Sequence, residues 1–81
     1  MNQDTLLKAT RHYGHSAQKA KTVEECAELI VAIQHGDPDH MAEETADVLI
    51  MANQMRLMLG PGLVDNWIQS KLARLEERMS A

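Results

Sequence analysis

Two pairs of carboxylates with the same spacing are the most visible chemistry in this chain. Glu25 and Glu28 stand three apart in Glu24-Glu25-Cys26-Ala27-Glu28. Glu44 and Asp47 stand three apart in Glu43-Glu44-Thr45-Ala46-Asp47. On a helix, residues i and i+3 share a face. If two such helices pack side by side, the four acids point at one spot. Carboxylates held that close repel and raise each other's pKa. A bound divalent cation removes the repulsion, and an all-oxygen donor set suits hard Mg²⁺, with Mn²⁺ as a substitute.

The ordinary explanation of a Glu-rich helix is a solvated face that favours helix formation. Three details weigh against it. There are two such pairs, on neighbouring segments. Each is embedded in apolar sequence: Ala27, Leu29 and Ile30 around the first, Ala46, Val48 and Leu49 around the second. No Lys or Arg stands four residues after any of these acids, where a solvated salt-bridge face would carry one. Extending the stripe backward from Glu25 gives Lys21 and then Gln18, polar groups expected to line a wall beyond the acids and to touch substrate. Lys71, Arg74 and Arg78 share a face near the C-terminus. They are either a solvated cationic face that suits a helix C-terminus or, beside a metal cluster, clamps for phosphate. His12, His15, His35 and His40 show no ligand spacing among themselves. They are expected at the surface, with His35 and His40 flanking the turn between the acidic segments and able to border a substrate pocket. Carboxylate di-iron bundles use Glu-x-x-His; Glu-x-x-Glu and Glu-x-x-Asp favour Mg²⁺ instead.

The elements that must position these groups are helices. No β-branched alternating run occurs, and Gly14, Gly36 and Gly60-Pro61-Gly62 punctuate the chain. They predict an all-α fold of four helices. The first runs over about Thr5–Tyr13 with Asp4 as N-cap, and the second over Ala17–His35 with Gly36 after its end. The third begins at Asp37-Pro38 and runs to Leu59; the fourth spans Leu63–Met79. The fourth carries a narrow apolar stripe, Ile68, Leu72, Leu75 and Met79. The third is apolar all round at Val48-Leu49-Ile50-Met51-Ala52, so it must be covered on most sides. Three other short helices cannot easily supply that cover, which predicts a bundle completed by homo-oligomerisation.

Bulk properties narrow the field. Residues 1–81 form one domain, and a chain this short is marginal without a staple. Cys26 is the one cysteine, which rules out an internal disulfide; it is expected to be a small packed residue. The net charge of −4 and the two aromatics, Tyr13 and Trp67, argue against nucleic acid as a partner. No apolar run reaches membrane-spanning length and no signal pattern opens the chain, so the expected location is the cytoplasm.

Together these residues resemble a known family. Lys21-Thr22-Val23-Glu24-Glu25-Cys26-Ala27-Glu28-Leu29, followed after fifteen residues by Glu44-x-x-Asp47 within Glu43-Glu44-Thr45-Ala46-Asp47-Val48-Leu49, is similar to the signature of the MazG-type all-α nucleoside triphosphate pyrophosphohydrolases. The resemblance implies a four-helix arrangement assembled as a dimer or tetramer. It implies Mg²⁺-dependent cleavage of a (d)NTP to a nucleoside monophosphate and pyrophosphate, with a house-cleaning role for the nucleotide pool. It implies that Glu25, Glu28, Glu44 and Asp47 are the catalytic metal ligands and, more loosely, that Lys71 and Arg74 contact phosphate. A phosphoribosyl-ATP pyrophosphohydrolase is an alternative within the same chemistry. A non-catalytic helical interaction module, with solvated acids and the third helix as its interface, is the alternative outside it.

Overall fold

The computed structural model describes residues 1–81 as four α-helices and no strand: α1 Gln3–Tyr13, α2 His15–His35, α3 Pro38–Leu59 and α4 Pro61–Ser80. The all-α expectation holds, and the differences lie at the helix starts. Asn2, not Asp4, caps α1: its side chain accepts from the Asp4 amide at 2.9 Å. This lets α1 begin at Gln3 and leaves Asp4 in the first turn, where its charge suits the macrodipole. α2 begins at His15 because Gly14 serves two helices. Gly14 N–H donates to the Thr10 carbonyl at 2.9 Å, and its own carbonyl accepts from Gln18 N–H at 3.1 Å. Gly60 does the same between Arg56 and Val64, at 3.1 and 3.3 Å. Both glycines have positive φ, +88° and +108°, a backbone open to glycine and strained for other residues. Pro61 and Gly62 therefore lie inside α4 rather than before it, since proline is preorganised for the first helical turn.

α2 and α3 form the centre. Gly36 ends α2 in the left-handed conformation, its N–H donating to the Ala32 carbonyl at 3.1 Å. Asp37 opens α3 by accepting from the Asp39 amide at 3.2 Å, with Pro38 in the first turn. So tight a turn folds the two helices back antiparallel. α1 packs across both, while α4 packs against α3 alone. Arg56 fixes that last contact through a two-pronged ion pair with Asp65, at 2.8 and 2.7 Å.

The core is small. Eight residues are buried, and five of them are polar or charged. Leu6, Ala32 and Met51 are the buried apolar residues. The radius of gyration is 14.8 Å, against roughly 12 Å for a compact domain of this length. The apolar girdle of α3 is uncovered on one side, with Leu49 50% exposed and Ile50 beside it. The α4 stripe is exposed throughout. Cys26 is exposed as well. It was expected to pack, but the helical turn of about 100° per residue carries it out to solvent from its neighbour Glu25, which is buried. No helix is long and apolar enough to cross a membrane.

Candidate metal centre

One antiparallel register places the polar groups of α2 and α3. Gln18 Nε2 donates to Gln54 Oε1 at 2.6 Å. Ten residues onward on α2 stands Glu28, and ten residues back on α3 stands Glu44. Glu25, Glu28 and Glu44 each offer a carboxylate oxygen, and these atoms lie within 4.8 Å of one another. The helical period brings Glu25 and Glu28 to one face, and the register brings Glu44 across to meet them. Asp47 falls opposite Glu25 in the same register and is half-buried, but its carboxylate is not part of that cluster.

Burial separates the three. Glu25 and Glu44 are buried, and Oε2 of each is enclosed with no hydrogen-bond partner. A buried, unpaired carboxylate oxygen is costly. Two of them on acids of one cluster would suit a cation, and the all-oxygen donor set fits Mg²⁺ or Mn²⁺. Glu28 is exposed. Its pKa is held above the ordinary carboxyl value mainly by the charge of Glu25, with desolvation and the charge of Glu44 adding to it.

Two side chains approach these acids. Lys21 Nζ lies 3.1 Å from Glu25 and 3.6 Å from Glu24, and the hydrogen bond to Glu25 is the main reason its pKa is raised. The acids have no basic residue four positions after them, but Glu25 has one four positions before. His40 Nε2 lies 3.4 Å from Glu44 Oε1. His40, expected at the surface and able to border a pocket, is half-buried and lines a cleft with Glu24, Ala27, Glu28, Val31 and Glu44, about 530 Å³ in volume. Its one sequence signal was the i, i+4 spacing to Glu44. Glu43 points to solvent.

The remaining expected contacts divide. Gln18 and Lys21 line a second cavity next to the acids, together with Met51 and Gln54. The partnership of Gln18 with Gln54 is a matter of register, which no local pattern announces. Lys71 and Arg74 are exposed on α4, which does not touch α2. Lys71 lies over the Trp67 ring, 5.9 Å from its centroid. Within one chain the basic face of α4 does not join the acids.

Residues 13–59 match the family model of the MazG nucleotide pyrophosphohydrolase domain. The matched stretch runs from the end of α1 through all of α2 and α3, and so contains every acid of the cluster. No curated relative and no solved structure matches the chain.

Proposed function

The chain belongs to the MazG nucleotide pyrophosphohydrolase family, whose domain model covers more than half of it, and from that premise we propose that it is a Mg²⁺-dependent nucleoside triphosphate pyrophosphohydrolase. It converts a (d)NTP to the monophosphate and pyrophosphate, with Mn²⁺ as a substitute metal and clearance of the nucleotide pool as its role. The observation that carries this reading is the pair of buried, unpartnered oxygens, Glu25 Oε2 and Glu44 Oε2, beside Glu28.

Glu25, Glu28 and Glu44 would hold the cation, with Asp47 as the fourth ligand. When bound, the metal supplies Lewis-acid stabilisation of phosphoryl charge and a more acidic water. The chain's own residues do the rest. A carboxylate not engaged in ligation orients the attacking water and takes its proton. Lys21 offsets the charge of Glu25 and would contact the phosphates. Gln18 contacts the substrate farther along α2. Lys71 and Arg74 reach phosphate from α4 of another copy, because α4 does not touch α2 of its own chain, where Glu25 and Glu28 stand. A homo-oligomer, dimer or tetramer, therefore completes both the core and the site. An acidic protein binding a polyanion is otherwise a contradiction, and the metal resolves it.

The test is turnover across a panel of nucleotides, including phosphoribosyl-ATP, with Mg²⁺ or with chelator. Pyrophosphate release that depends on metal is expected. Orthophosphate as the product, or no turnover of any triphosphate, overturns the reading. The exposed apolar faces of α3 and α4 favour a second reading, a non-catalytic interaction module. Calorimetry separates the two: a cation site binds Mg²⁺ and raises the melting temperature by linkage, whereas solvated acids do neither.

A further inference from the structure

The two buried acids of the cluster share one local arrangement. Glu25 Oε1 lies 3.1 Å from Lys21 Nζ, and Glu44 Oε1 lies 3.4 Å from His40 Nε2. In each pair the nitrogen stands four residues before the acid, on the same helical face. In each acid the other oxygen, Oε2, is enclosed and has no hydrogen-bond partner. Each carboxylate thus has a nitrogen beside one oxygen and nothing beside the other. Glu28 differs. Four residues before it stands Glu24, and no basic group pairs with it.

This division matters because a carboxylate has two equivalent oxygens. Rotation about its last side-chain bond exchanges them, and that torsion is broad and roughly two-fold. A cation ligand works best with one oxygen presented and the rotation stopped, and a polar neighbour on the other oxygen does both. His40 is placed to act in this way. It stands in the first turn of α3, is half-buried, and is the one nitrogen-bearing side chain lining the cleft with Glu28 and Glu44. Its 3.4 Å contact is longer than an ordinary N–H···O hydrogen bond. What it contributes is orientation more than strength.

We propose that His40 is a positioning residue for the cation site. It keeps Glu44 Oε1 turned toward its imidazole, so that Oε2 is the oxygen presented to the metal. Lys21 makes the matching contact to Glu25. His40 itself touches neither the cation nor the reacting phosphate, and acts through Glu44. The inference rests on the metal-site reading above and adds a residue outside the acid pairs that orients one of their members.

The test is calorimetric titration of Mn²⁺ into wild type, His40→Ala and His40→Gln. His40→Ala should weaken Mn²⁺ binding roughly 10–100-fold, the usual cost of losing a group that orients a metal ligand. His40→Gln should recover most of that loss, because its amide nitrogen stands about as far along the side chain as Nε2 does. Wild-type affinity in His40→Ala, or equal loss in both variants, overturns the proposal. In chelator all three proteins should melt together. A His40→Ala protein that melts far below wild type there marks a merely structural residue and contradicts the role. Turnover adds a separate readout. His40→Ala should need more Mn²⁺ but reach the wild-type kcat once the metal saturates. A kcat that stays low at saturating Mn²⁺ means that His40 acts on the substrate, and overturns the proposal. Wild type that binds no Mn²⁺ overturns the metal centre and this inference with it, whereas equal binding by wild type and His40→Ala overturns the inference alone.

Discussion

At the scale of single residues, Glu25 and Glu44 carry the account, because each holds an oxygen away from water with nothing to pair it. Glu28 differs in being exposed, and the charge of Glu25 keeps its pKa above the ordinary range. Two effects follow for Glu28→Gln. Turnover should fall by more than about 100-fold, beyond what is typical for a residue that only supports a metal ligand. In chelator the variant should melt at a higher temperature than wild type, because it removes one of three mutually repelling charges. A Glu28→Gln protein with near wild-type turnover at saturating Mg²⁺, or a lower melting point in chelator, contradicts the assignment. Asp47→Asn should also reduce turnover, by weakening Mg²⁺ affinity. Full activity in that variant removes Asp47 from the ligand set. The nearness of Glu25 and Glu28 was legible from spacing, since a helix puts i and i+3 on one face, whereas the place of Glu44 beside them depended on register and the Asp47 carboxylate stays outside the cluster. His40 and Lys21 were harder to read as partners of the acids. A search for basic residues after each acid passes over those that stand before it.

At the scale of elements, the α2–α3 register does the positioning, and α4 is the loosely held member. Its link to α3 is the Arg56–Asp65 pair, and this pair determines a pH dependence. The Arg56 hydrogen bond lowers the Asp65 pKa below its ordinary 3.8. A carboxylate whose pKa is lower folded than unfolded stabilises fully above the unfolded value, and that stabilisation is lost as pH falls through the folded value. Asp65→Asn should therefore free α4 at neutral pH, seen as faster amide exchange along Leu63–Arg78 than in wild type. The difference between the two proteins should vanish at a pH well below 3.8. A difference that grows on acidification contradicts the pairing. The turn before α4 gives a second test. Gly60 has φ +108°, and a Cβ there would meet no neighbouring atom, so Gly60→Ala is strained by its backbone alone. It should destabilise by about 1–3 kcal/mol in chemical denaturation; an unchanged midpoint contradicts it. Helix number and order were readable from the glycines. The starts were not, because a glycine that ends one helix and begins the next leaves no loop, and Pro61 reads as a breaker until it is seen to lie in a first turn.

At the scale of the whole molecule, the small core and the exposed faces of α3 and α4 are the observations behind the proposed homo-oligomer. Thermal stability should rise with protein concentration. Light scattering should find at least a dimer at micromolar concentration; a stable folded monomer of 9.1 kDa contradicts the assembly. The consecutive apolar run of α3 made its exposed apolar side readable, whereas which residues would meet in the proposed assembly follows no local period. The claim at the centre of the account is that the Glu25–Glu28–Glu44 cluster hydrolyses a triphosphate between its α- and β-phosphates. Phosphorus NMR of one nucleotide incubated with the protein and Mg²⁺ tests it most directly. The account predicts that the triphosphate signals give way to nucleoside monophosphate and pyrophosphate, and that chelator or Glu28→Gln stops the change. Nucleoside diphosphate with orthophosphate, or the same products from Glu28→Gln at the wild-type rate, would contradict it.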